Sequence, residues 1–154
     1  MPTWTQAIAV GHPTIDEQHR ELFARADELL EAMKSGRAGE ELLNLLAFLK
    51  QYVAEHFGTE ERLMDDHRYP SAAAHKALHT EFVRRLKENE EAYSTRGSRA
   101  MVILDLRDMV RGWLVNHVST VDLQLANFLR REREPRGGAS PLQNSARPMI
   151  RPPK

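Results

Sequence analysis

His56-Phe57-Gly58-Thr59-Glu60 sets an imidazole and a carboxylate four residues apart, which on an α-helix stacks them one turn apart and roughly 40° around the axis. The same spacing returns as two imidazoles in His75-Lys76-Ala77-Leu78-His79. His117-Val118-Ser119-Thr120-Val121-Asp122 follows, and a single His19 lies upstream in Ile15-Asp16-Glu17-Gln18-His19. Five of the seven histidines fall in these four stretches, each on a separate helical pattern. The arrangement predicts a metal site assembled between helices, with the rest of the chain as its scaffold.

Outward from His56, a stripe of Leu42, Leu45, Leu49, Tyr52, His56, Glu60 and Leu63 predicts a helix over about 40–65. Gly58 inside it costs roughly 1 kcal/mol against Ala, which predicts that a neighbouring helix or the N-terminal arm comes close there. Upstream, residues 1–13 form a non-helical arm with Trp4, Gly11 and Pro13. Thr14-Ile15-Asp16-Glu17 reads as a capping box, Thr14 as N-cap and Glu17 at the third helical position. Ile15, His19, Leu22, Ala26, Leu29 and Met33 continue that helix, and Gly36 and Gly39 close it. Downstream, Tyr69-Pro70-Ser71 restarts the chain into a third helix with Ala72, His75, His79, Phe82, Leu86 and Tyr93 inward. After a break at 94–98, a fourth helix over about 99–130 places Val102, Leu106, Met109, Trp113, His117, Leu125 and Phe128 inward. With no strand alternation and no internal repeat, the expected fold is all-α: an antiparallel up-down-up-down four-helix bundle over residues 1–130, with an N-terminal arm. Pro135, Pro141, Pro148, Pro152 and Pro153 make 131–154 a Pro/Arg-rich, flexible and disordered tail.

Composition narrows the function. Cysteine is absent from the 154 residues, which excludes disulfides, thiolate metal sites and cysteine nucleophiles. There is no 18-residue apolar run and no charged-then-apolar leader, so the expectation is a cytoplasmic protein without a membrane span. Basic and acidic residues both number 22, yet residues 131–154 hold six basic and two acidic, leaving 16 against 20 before them. A mildly acidic body with a basic tail, and no basic or aromatic stripe on any helix, argues against nucleic-acid binding.

Taken singly, each piece has an ordinary explanation. His19 on an apolar stripe reads as a hydrogen-bonded core residue, and His56 with Glu60 as a solvated pair. His117 and Asp122 do not even share a face, because five residues on a regular helix are about 140° apart. They converge only if one reaches sideways or the helix is locally widened. Jointly, however, five imidazoles and two carboxylates on inward positions would each cost a few kcal/mol if left unsatisfied. Metal coordination removes that cost. Seven donors exceed the needs of one ion and suit two ions sharing bridging carboxylates. The nitrogen and oxygen set admits Fe, Mn, Co or Zn. It inverts the carboxylate-rich Glu-x-x-His pattern of ferritin-like di-iron proteins, which favours a gentler, reversible chemistry.

His19, His56-x-x-x-Glu60, His75-x-x-x-His79 and His117-x-x-x-x-Asp122 resemble the ligand signature of the hemerythrin family in its single-domain bacterial form. Trp4, Val10-Gly11, Ile15-Asp16-Glu17-Gln18-His19, His56-Phe57, Tyr69-Pro70 and Trp113-Leu114-Val115-Asn116-His117 extend the likeness over about residues 4–130. The resemblance implies two Fe ions in a non-heme di-iron centre. His75, His79 and His117 would complete one iron. His19 and His56 would hold the other, leaving a position for O2, with Glu60, Asp122 and an oxo or hydroxo group as bridges. It further implies reversible dioxygen binding for storage, delivery or sensing rather than an enzyme, in a monomer, with azide or nitric oxide as other possible ligands. Competing readings are a di-iron oxidase or peroxidase, a nitric oxide scavenging enzyme, or an interaction module engaging a protein partner through the basic tail. Leu22, Phe23, Trp113, Leu114, Val118 and Val121 are the expected apolar walls. Leu123, Gln124 and Leu125 depart from the lysines and tyrosine the family often carries there, and His12 and His67 match no ligand position and read as exposed.

Overall fold

A computed structural model describes residues 4–35, 38–95 and 99–134. After a short turn at Gln6–Ile8 come α1 (Pro13–Lys34), α2 (Ala38–Asp66) and α3 (Ala72–Thr95). A fourth rod is continuous from residue 99 to 133: α4 (Arg99–Asp108), two widened stretches at Met109–Leu114 and His117–Asp122, and α5 (Leu123–Arg133). No strand occurs among the described residues. None of the helices among them is long and apolar enough to cross a membrane. The expected glycine stop at Gly36, residues 96–98 of the expected break and residues 135–154 of the tail lie outside the described residues, as do the side chains of Met33 and Leu45; Ser94 and Thr95, expected in the break, end α3, and residues 131–133, expected in the tail, end α5. Gly39, expected to close α1, lies inside α2.

The entry to α1 differs from the capping box. The helix starts two residues earlier, at Pro13, whose fixed φ and missing N–H suit a first turn. Asp16, not Glu17, reaches back: its carboxylate accepts from Val10 N at 2.8 Å and Gly11 N at 2.9 Å. Glu17 instead pairs with Arg20 on the surface. The arm is also held from the other end of the chain, since Arg130 donates to Val10 O at 3.2 Å. Gly11 sits at φ +84°, and a Cβ there would lie 3.0 Å from Arg130 Nη2. The left-handed φ favours glycine, whereas the end of the flexible Arg130 side chain could give way to a Cβ.

Successive helices meet through matched levels. Arg25 covers the Phe48 ring at 4.9 Å between α1 and α2. Lys50 meets Glu90 at 2.8 Å and Lys76 meets Asp65 at 2.7 Å between α2 and α3. Arg85 meets Asp105 at 3.0 Å between α3 and α4. Such exposed pairs add little stability; the core supplies it. In α2 the buried stripe is Leu42, Leu46, Leu49, Val53, His56, Phe57, Glu60 and Met64, close to a seven-residue repeat. Tyr52 and Leu63 lie at its half-buried edge rather than in it. In the fourth rod, Val102, Leu106, Val110, Leu114, Val118, Asp122 and Ala126 are all buried at an interval of four. On a regular α-helix each such step drifts about 40° around the axis. The widened stretches, with i→i+5 hydrogen bonding, absorb that drift and keep one face inward.

Two local features cost stability. Gly58 meets nothing within 4 Å of a built Cβ, so the expected close approach is absent. Arg68 takes φ +51° at the end of α2. There Tyr69 N bonds Met64 O at 2.8 Å and Arg68 N bonds Asp65 O at 3.2 Å, a Schellman cap that ordinarily uses glycine. We expect Gly58→Ala to stabilise the protein by about 1 kcal/mol and Arg68→Gly by about 1 kcal/mol. Urea unfolding at fixed metal content checks both, and a lowered midpoint in either variant would contradict the account given for its site.

Candidate metal centre

The seven side chains singled out in the sequence converge from all four rods, and none is more than 3% exposed. α1 supplies His19, α2 His56 and Glu60, α3 His75 and His79, and the widened stretch His117–Asp122 both of its ends. That stretch explains the fifth-residue spacing. An i→i+5 turn brings Asp122 over His117, with His117 Nε2 at 3.0 Å from Asp122 Oδ1. Local widening of the helix, one of the two routes left open by the sequence, is the one taken.

Asp122 is the hub. Its Oδ1 lies 3.1 Å from His75 Nε2 and its Oδ2 lies 3.0 Å from His19 Nε2. Glu60 Oε2 stands 3.2 Å from His79 Nε2 and 3.4 Å from His75 Nε2, while its Oε1 faces His56 Nε2 at 3.8 Å. Donor atoms within 4.8 Å of one another form two sets: Glu60, His75, His79, His117 and Asp122, and His19, His56, Glu60 and Asp122. Each set could hold a metal ion, and the two carboxylates belong to both.

Protein atoms alone leave this cluster unsatisfied. Both Glu60 oxygens, Asp122 Oδ1 and His79 Nε2 are buried without a hydrogen-bond partner. His75 Nε2 and His117 Nε2 face each other at 3.2 Å, and two neutral imidazoles cannot both present a lone pair at that distance. Burial pushes His56 down to about 3 and His79 down to about 2. Burial, with neighbouring Asp122, pushes Glu60 up to about 8. Burial opposes a proton on His75, but the Asp122 and Glu60 carboxylates outweigh it and raise that group to about 9. For Asp122, the imidazoles of His117, His19 and His75 standing beside it overcome burial and hold it well below the usual carboxylate range. Retained protons thus stand where positive charge is wanted. Cations fit the same donors, inward-facing imidazole nitrogens and carboxylate oxygens.

The outer edges of the rings carry contacts the sequence reading did not single out. Gln18 Oε1 lies 3.0 Å from His56 Nδ1, and Glu61 Oε1 lies 3.1 Å from His79 Nδ1. Phe57 stacks on His79 at 3.7 Å and 3°, and Trp113 on His117 at 4.1 Å and 14°. Only the neighbour relation to His19 and Glu60 could have flagged Gln18 and Glu61. A cavity of about 10 Å³ touches His56, His117 and Asp122, room for about one water-sized molecule. Of the expected walls, Leu22, Trp113, Leu114 and Val118 line it; Phe23 and Val121 do not, and Val53, Phe57 and Phe82 take part instead. His12, expected to be exposed, is 9% exposed with both ring nitrogens unpartnered. Its pKa is lowered, by burial first and then by Arg133. His67 is half-buried. Neither joins the two donor sets.

Residues 10–129 match the family model described as the hemerythrin HHE cation binding domain. The bacteriohemerythrin of Stenotrophomonas maltophilia is 33% identical over 131 residues, covering 82% of this chain and 80% of that protein. The bacteriohemerythrin of Methylococcus capsulatus is 33% identical over 121 residues, covering 78% and 90%. The myohemerythrin of Theromyzon tessulatum is 28% identical over 121 residues, covering 79% and 88%.

The shifted groups fix how the metal-free protein responds to pH. As pH falls below 6.5, unfolded chains protonate His56 and His79 while the folded protein resists until about 3 and about 2, so stability drops. Folded Glu60 keeps to about 8 a proton that the unfolded chain releases near 4.5, and folded His75 keeps to about 9 one released near 6.5, so above pH 6.5 stability drops again. Chelator-treated protein should therefore show its highest urea midpoint near pH 6.5. Metal should abolish the alkaline loss, because cations take the place of those protons. A metal-free midpoint that climbs steadily from pH 6.5 to 9 would contradict this.

Proposed function

The chain belongs to the hemerythrin family, and from that premise we propose that it binds dioxygen reversibly at a non-heme di-iron centre. The observation that carries this reading is the pair of buried donor sets sharing Glu60 and Asp122. In it His75, His79 and His117 hold one iron and His19 and His56 the other. Glu60 and Asp122, members of both sets, would offer carboxylate oxygens to each iron. Bound iron would supply two adjacent centres that can each give up and regain one electron.

The remaining work belongs to the protein. The smaller donor set has one imidazole fewer, and the cavity touches its His56, the larger set's His117 and the shared Asp122. Leu22, Val53, Leu114 and Val118 on the cavity wall exclude bulk water. A dry enclosure resists any change of buried charge, which favours a binding event that leaves the total unaltered. Every cavity-lining side chain that can take or give a proton there is a member of the donor sets. That supports binding over an oxidase, peroxidase or nitric oxide scavenging reaction. We read the rods as an antiparallel up-down-up-down bundle, in keeping with the matched levels Lys50–Glu90 and Asp65–Lys76. Residues 1–130 form the oxygen-binding unit. Residues 131–154 append a basic tail suited to a protein partner, and the protein acts as a cytoplasmic monomer.

Metal analysis after iron reconstitution should give two irons per chain; a ratio of one or none sinks the di-iron reading. Azide and O2 titrations of three variants test the assignment of residues. His67→Ala should bind both ligands like the parent. His79→Ala should oxidise irreversibly or lose metal, because it opens a position on the three-histidine iron. Leu114→Trp should hinder O2 while both irons stay bound. Metal loss from His67→Ala, or parent-like reversible binding by His79→Ala, would overturn the assignment.

A further inference from the structure

An imidazole can donate an electron pair from one nitrogen only if its proton sits on the other, so the partner of the outer nitrogen governs the inner one. At His56 the surrounding bonds decide the matter. Thr59 Oγ1 gives its proton to Glu55 O at 3.0 Å, so Thr59 can only accept from Gln18. The Gln18 group facing it at 3.1 Å is therefore the amide nitrogen. The amide oxygen then faces His56 Nδ1 at 3.0 Å, Nδ1 carries the proton, and the Nε2 pair points inward. Tyr52 donates to Gln18 O at 3.0 Å, which pins this arrangement across α1 and α2. At His79 the partner is Glu61 at 3.1 Å. A carboxylate only accepts, so the same tautomer follows, in a ring clamped flat on Phe57.

The two outer partners differ in charge. A carboxylate on the outer N–H makes an imidazole a stronger electron donor; a neutral amide does so far less. His79 belongs to the set of three imidazoles and His56 to the set of two. We infer that Glu61 and Gln18 are positioning residues that make the two metal positions electronically unequal. Glu61, acting through His79, favours the higher oxidation state at the three-histidine position. Gln18, acting through His56, orders the ring at the two-histidine position without adding charge. Consecutive residues of α2 thus divide the labour: Glu60 faces both donor sets, while Glu61, 37% exposed, sits at the outer rim of His79. The inference rests on the ligand assignment proposed above.

The test uses the full chain carrying Glu61→Gln, Glu61→Asp or Gln18→Glu. Zinc-loaded protein is read by metal content, chelator competition and the imidazole N–H resonances; iron-loaded protein is read by its reduction potential. The parent should bind two zinc ions and show protected N–H signals from His56 and His79. Glu61→Gln should keep both ions but weaken one position roughly 10–100-fold, move the His79 signal alone, and raise the potential. Glu61→Asp should recover part of the loss, and Gln18→Glu should lower the potential and move the His56 signal alone. Unchanged zinc affinity together with an unchanged potential in Glu61→Gln overturns the inference, as do shifts of the same sign in Glu61→Gln and Gln18→Glu. Should Glu61→Gln fail to fold, the downward shift in Gln18→Glu still decides. A parent chain that binds fewer than two zinc ions overturns the ligand assignment as well; two ions with indifferent variants overturn this inference alone.

Discussion

Asp122 stands within about 3 Å of imidazoles from α1, α3 and its own rod, at zero exposure. A carboxylate so placed is destabilising unless positive charge stands beside it. A proton on His75 is one answer, helped by one on Glu60 that removes a neighbouring negative charge, and metal cations are another. Cations answer for every donor at once, whereas two neighbouring imidazoles cannot both be protonated cheaply. The polar centre therefore tightens the bundle when occupied and loosens it when empty.

The packing around it follows from that demand. Phe57 and Trp113 present ring faces to His79 and His117, which fixes ring planes without competing for their nitrogens. Leu22, Leu114 and Val118 come near enough to exclude bulk solvent yet leave a gap. Away from the site, the main apolar cluster continues through Leu42, Leu46, Leu86 and Leu106. A smaller one of Met64, Leu125 and Leu129 lies under Tyr69 and Phe128. The arm, held by Asp16 and Arg130, crosses the seam between the first rod and the last.

Much of this was readable in the sequence because the polar residues broke apolar stripes at helical spacing, and a buried carboxylate or imidazole set has few ordinary explanations. The positions of His19 and Glu60 follow from that pattern, whereas Asp122 lies off the stripe read for its helix and reaches the site through the widened turn. The stripe expected for the fourth helix, Val102, Leu106, Met109, Trp113, His117, Leu125 and Phe128, followed ordinary winding and so missed the buried interval of four from Val102 to Ala126 that goes with the widened rod. What escaped the pattern depends on backbone detail. Asp16 reaches back because the helix starts at Pro13, and either Asp16 or Glu17 could have served on spacing. Arg68 adopts a conformation its side chain disfavours, so no glycine marks the end of α2. His12 is covered by the fold of the arm, which no periodicity describes. Gly58 misled in the opposite sense: a helix-weakening residue suggested a crowded contact where there is open space.

The widened turn at His117–Asp122 also bears on how such a chain can change over generations. An ordinary α-helix sets residues four apart on one face, as at His56 and Glu60, and the widened turn does the same for residues five apart. Removing one residue here and restoring ordinary winding would leave His117 and the carboxylate about 40° apart around the axis, still facing the same way. Adding a residue without further widening would instead turn the carboxylate by about 100°. Residue number and winding are thus tied together in the fourth rod: a change in one is tolerated only when the other changes with it.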